Sequence, residues 1–126
     1  DFLIVVDYAE RSSRSRKSVD YVSVSPDRAD GIKELPYKLV AMGSELAPES
    51  ASGEWIGLFR TTEAGSRILV EAMERLGREG HAVECWSIPQ LLHQLAEEGH
   101  EIRVQYIHDN WLDVDDIGDL SDLYRF

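Results

Sequence analysis

The sequence predicts an α/β domain with a sheet of mixed strand order, and two observations carry that expectation. Short apolar or alternating segments recur along the chain, and two segments of 3.6-residue apolar periodicity fall between the fourth and fifth of them, where they can cover a sheet. A chain of 126 residues with 43% apolar content has the size and composition of one domain, and residues 1–126 are read as a single partial domain.

The elements follow in order. Residues 2–6, FLIVV, form an unbroken apolar and β-branched run, which predicts a strand covered on both faces. A central strand as the first element, with no leading residues, is what a piece cut from a longer protein would show. Residues 19–24, VDYVSV, alternate like a strand with one wet face, closed by Pro26 and Asp27. Pro36 introduces a further strand at 37–42, and GSELAPESASG, residues 43–53, reads as a loop. Residues 54–59 predict a strand with a central glycine, Gly57, the mark of a bulge or a close approach. Thr62 then caps a helix over 63–76 whose stripe is Ile68, Leu69, Ala72, Met73 and Leu76, stopped by Gly77. Met42 and Met73 are read as core fillers. A second amphipathic helix spans 88–97, with Pro89 in its first turn and Leu91, Leu92 and Leu95 on one face, ended by Gly99. A strand at 102–107, a shorter one in WLDV and a terminal helix over 117–124 complete the chain.

Charge and motif content narrow the function classes. With 24 acidic against 13 basic side chains the formal charge is -11, which opposes a nucleic-acid backbone, so no nucleic-acid partner is expected. The basic cluster RSSRSRK reads as a solvated loop that could also hold a phosphate. No run approaches the roughly 18 apolar residues of a spanning helix, no membrane partner is expected, and the first residues lack the pattern of a signal peptide. With Cys85 as the single cysteine, a cytoplasmic location is expected. His81 and Cys85 could form half a zinc site, but no second pair stands near them. Neither a GxGxxG nor a GxxxxGK[ST] phosphate loop is present, and no GxSxG elbow.

The chain closes on WLDVDDIGDLSD, in which Asp113, Asp115, Asp116, Asp119 and Asp122 crowd together. A calcium loop counted from Asp113 fails, because its fifth position is Ile117 and its twelfth is Tyr124. Capping of the terminal helix accounts for Asp115 or Asp116 and for Asp119. It leaves Asp113, which shares a strand face with Asp115. Two carboxylates at a strand end suit Mg²⁺, a hard cation that takes few protein oxygens and completes its shell with water and phosphates.

Three stretches taken together, MGSELAPESASGEWIGLFRTTEAG, the helix after it and WLDVDDIGDL, resemble the second half of a nucleotidyltransferase domain. More narrowly, with DFLIVVDYAERS, the chain resembles the cytidylyltransferase domains associated with phosphoenolpyruvate phosphomutase in phosphonate biosynthesis of the fosfomycin type. The resemblance implies the second, acceptor-side half of a Rossmann-like three-layer α/β domain with a mixed, mostly parallel sheet. It implies transfer of CMP from CTP to a small phosphonate such as 2-hydroxyethylphosphonate, with release of pyrophosphate. It also implies a missing N-terminal half that carries the nucleotide loop, and a phosphomutase partner domain. By position it assigns Asp115 to Mg²⁺ and catalysis, with Asp113 as a supporting metal-side carboxylate. Glu54, Trp55, Trp111 and Asp7 are assigned to substrate binding. The alternative is a degenerate, non-catalytic scaffold attached to a phosphomutase.

Overall fold

A computed structural model describes residues 1–8, 19–26 and 36–108. The expected strand in WLDV and the helix over 117–124 lie outside the described residues. The elements are β1 (Phe2–Asp7), β2 (Tyr21–Ser25), β3 (Tyr37–Gly43), β4 (Gly53–Thr61), α1 (Glu63–Arg78), α2 (Ile88–Glu97) and β5 (Ile102–Ile107). Single 3₁₀ turns occupy Pro48–Ser50 and Val83–Cys85.

The five strands close into a barrel in the order β1, β4, β2, β3, β5. This overturns the Rossmann-like three-layer architecture, and with it the mostly parallel sheet. β1 and β5 run parallel, whereas β1–β4, β2–β4, β2–β3 and β3–β5 are all antiparallel. The physical reason lies in the connections. Both described helices fall in the one connection between β4 and β5, so among the described residues no second helical crossover builds a parallel sheet with helices on each face.

Alternation along the strands places the core inside the barrel. Phe2, Ile4 and Val6 of β1, Val22 and Val24 of β2, and Ile102 and Val104 of β5 are buried, while Arg103 and Gln105 are exposed. In β3 the buried parity changes from Tyr37 and Leu39 to Met42, because Val40 is an extra residue between the pairs Val24↔Leu39 and Ser23↔Ala41. Val40 is accordingly 51% exposed. β4 carries a larger irregularity: Ile4 pairs with Phe59 but Val6 with Trp55, so two more residues lie on β4 than β1 can match. Gly57, at φ 83°, sits inside that bulge, and the Trp55 indole N–H donates across it to the Leu58 carbonyl at 3.0 Å.

The helices are capped by their own sequence. Thr62 Oγ1 accepts from the Gly65 N–H at 3.1 Å, which opens α1. α1 runs past Gly77 and stops at Gly80, correcting the expected terminus. There the N–H groups of Gly80 and His81 bond back to the carbonyls of Gly77 and Leu76. Ala72 and Leu76 are buried on its inner face, but Met73 is 44% exposed and is not the core filler expected of it. α2 has the expected bounds and buries Leu91, Leu92 and Leu95, of which Leu92 and Leu95 join the barrel core.

Candidate functional site

The end of β1 gathers the most unusual chemistry among the described residues. Asp7 follows the core residue Val6 and is 2% exposed, the one buried charged residue described. Alternation puts it on the face opposite Val6. Its register partner across the antiparallel pair is Glu54, the second residue of β4, and its parallel partner is Ile107. Glu54 is in turn the partner of Tyr21 on β2, which pairs with Gly43 on β3. One row of residues, Ile107, Asp7, Glu54, Tyr21 and Gly43, thus runs across all five strands.

Gly53 makes that row close-packed. A Cβ built there would lie 2.6 Å from the Asp7 carbonyl oxygen and 2.6 Å from Val6 Cγ1, so the start of β4 can cross the end of β1 only without a side chain. Directly opposed side chains on antiparallel strands have Cβ atoms about 4.5–5.5 Å apart, and like charges in that position repel. A buried carboxylate also loses hydration. Neither Asp7 nor Glu54 stands without a partner.

Around this pair the local structure adds acid and aromatic groups. Asp20, just before β2, accepts the Trp55 N–H through its carbonyl at 2.9 Å, and burial raises its carboxyl above the ordinary aspartate value. Tyr8 follows Asp7, and its N–H donates to the Ile107 carbonyl. Its ring meets His108 edge-on at 4.4 Å and Tyr106 at 6.2 Å, and Tyr106 meets Tyr37 at 5.1 Å. Tyr106 is the register partner of Val6 and Tyr37 belongs to the barrel core, so these rings lie on the face opposite the Asp7 side chain and close that end of the barrel.

Of the residues assigned from sequence, Asp7, Glu54 and Trp55 are brought together. Trp55 pairs with Val6 and packs against the core, and its indole N–H is engaged with Leu58. Trp111, Asp113 and Asp115 lie outside the described residues. Asp20 and Tyr21 were not singled out from sequence, since only strand register brings them to Glu54, the partner of Asp7. Among the described residues no group of three or more His, Cys, Asp or Glu side chains could hold a metal ion. Cys85 is exposed, and the His81 ring packs edge-on against Trp86 at 5.7 Å. No described helix is long and apolar enough to cross a membrane. In comparisons with known proteins, no family, no curated protein and no solved structure matches this chain.

Proposed function

We infer that the chain is part of a cytoplasmic cytidylyltransferase that transfers CMP from CTP to a small phosphonate, such as 2-hydroxyethylphosphonate. The observation that carries this reading is the pairing of Asp7 with Glu54. Two acidic residues far apart in sequence, both assigned to the substrate by resemblance, lie side by side with Trp55 next to them. In the reaction a phosphonate oxygen forms a bond to the α-phosphorus of CTP, and the bond to the β-phosphate breaks with its electron pair leaving on pyrophosphate. Glu54, half-buried at the row's centre, would accept a hydrogen bond from the acceptor's hydroxyl and orient it. Asp7, opposite it on the neighbouring strand, would add its negative charge to that of Glu54.

Mg²⁺ would neutralise the charge that builds on the phosphates. The described residues supply no cluster of three donors for it, so this proposal assigns the ion to Asp113 and Asp115, outside them. An N-terminal half with a phosphate loop and a phosphomutase domain are the partners it requires.

One observation favours a second reading, a non-catalytic scaffold beside a phosphomutase: the closed barrel differs from the open, mostly parallel sheet of the family that the sequence resembles. The experiment that separates them is pyrophosphate release by the full-length protein containing this chain, supplied with CTP, Mg²⁺ and 2-hydroxyethylphosphonate. Release that depends on the phosphonate is expected, with Asp115→Asn abolishing it while the protein stays folded. Glu54→Gln should lower kcat/KM about tenfold to a hundredfold, the effect of one charge-assisted hydrogen bond. No release from folded protein puts the scaffold reading first.

A further inference from the structure

The helix–barrel joint between α2 and β3 contains an acceptor that exists in only one protonation state. β3 pairs with β5 through Tyr37 and Lys38, and α2 lies against β3 more extensively than against any other element. The Met42 N–H, near the end of β3, donates to His93 Nδ1 in the middle of α2 at 3.3 Å. A backbone N–H can only donate, so Nδ1 must carry a lone pair, and the neutral ring then holds its proton on Nε2. That nitrogen lies 3.6 Å from Glu97 Oε1, one turn further along α2.

We propose that this joint is a pH-sensitive latch: with His93 neutral it fastens β3 to α2 through Met42, and protonation of the ring unfastens that tie. In the imidazolium both nitrogens carry hydrogens, so an Nδ1–H would face the Met42 N–H and the bond is lost, while Glu97 holds the charged ring from the other side. β3 brings Tyr37 and Lys38 only at its far end, where Lys38 is paired with Glu101 at 2.5 Å. α1 brings Arg75, held by Glu98 at 2.6 Å. Glu97 is the carboxylate that approaches Nε2, and the connection that follows Met42 carries Glu45 and Glu49.

The latch sits where it can matter for the acidic row. Gly43 follows Met42, the 44–52 connection begins there with the Leu46 N–H bonded to the Gly43 carbonyl, and it delivers Gly53 and Glu54 to β1. Release at Met42 removes the tie to α2 at the point from which that connection leaves, while Met42 and Gly43 keep their β2 partners Val22 and Tyr21. This inference is independent of the proposed reaction and stands or fails without it.

The test is amide hydrogen exchange at Met42, corrected for intrinsic pH dependence, with long-range nitrogen–proton spectra of the histidine rings. At neutral pH His93 Nδ1 should read as unprotonated. As the same spectra show the His93 ring taking up its second proton, protection of Met42 should fall about fivefold, the population change that one net hydrogen bond supports. His93→Gln should remove that step. A proton on Nδ1 at neutral pH overturns the proposal, and so does Met42 protection that does not change through the ring's titration. A fall shared equally by all strands overturns it too, since His81, His100 and His108 would then account for it. The wild-type spectra decide the matter even where a variant fails to fold.

Discussion

Gly53 and Gly57 stand four residues apart on β4, and they are glycines for different physical reasons. At Gly57 the backbone has φ 83°, and the space around it is open, so a side chain would be strained by conformation alone. At Gly53 no such conformation is involved, but a Cβ would collide with the Asp7 carbonyl and with Val6. Backbone and a core valine cannot move aside as a surface side chain could. Gly53→Ala should therefore destabilise the protein by about 1–3 kcal/mol, as overpacking does, read from the midpoint of denaturant unfolding. It should also push Glu54 away from Asp7, and a change smaller than about 0.5 kcal/mol would mean that β4 does not start against β1 as described. The glycine spacing was visible in the sequence, and Gly57 as a bulge was legible from its place inside a strand. The role of Gly53 was not, because it depends on which strand lies beside it.

Local elements were the most legible level, and the reason is that their determinants are local. α2 begins at a reciprocal cap in which the Ser87 N–H donates to Gln90 Oε1 and the Gln90 N–H to Ser87 Oγ. It ends with the His100 N–H bonded to the Leu95 carbonyl around Gly99 at φ 90°. Gly77 misled because any glycine after an apolar stripe looks like a stop, whereas the one that adopts positive φ is Gly80. Between the helices, Glu98 at the end of α2 receives Arg75 of α1 and the Gln94 amide. Burial pushes the Glu98 carboxyl up, but the Gln94 and Arg75 hydrogen bonds outweigh it and hold it below the ordinary glutamate value. A carboxyl depressed on folding adds stability that is present above its unfolded value and lost as pH falls through the folded one. Acid unfolding should thus steepen below about pH 4.5, and Glu98→Gln should flatten that part of the curve. An unchanged acid limb in the variant would show that Glu98 does not join the helices in solution. The pair is partly exposed, so the effect is small and should fade at high salt.

At the scale of the whole molecule, the strand order and directions decide against a three-layer sandwich, and the sequence held one hint of it, since both described helices interrupt the chain between the same two strands. The expectation of a mostly parallel sheet came from resemblance, and FLIVV encouraged it, because an apolar run reads as a strand covered on both faces. In the barrel the same run needs only its inner face fully buried, and Leu3 and Val5 are half-buried. Closure itself could not be read from sequence, since it rests on two short ladders between segments distant along the chain. β2 meets β4 through Tyr21 and Val22, and β3 meets β5 through Tyr37↔Val104 and Lys38↔Arg103. The candidate row from Ile107 to Gly43 depends on the first of those ladders: Asp7 and Glu54 could be nominated singly, but the row reaches Tyr21 and Gly43 only if β2 meets β4. Cross-strand nuclear Overhauser contacts between the backbones of Tyr37 and Val104, and of Lys38 and Arg103, are therefore expected. An open sheet would leave the β3 and β5 edges apart and show none of them. Val104, buried at this seam, adds an energetic test, because Val104→Ala should cost about 2 kcal/mol through lost burial and the cavity left behind. Loss of stability together with weakened contacts at Tyr37 would place the seam at the centre of the fold, and a neutral substitution with no seam contacts would return the chain to an open sheet.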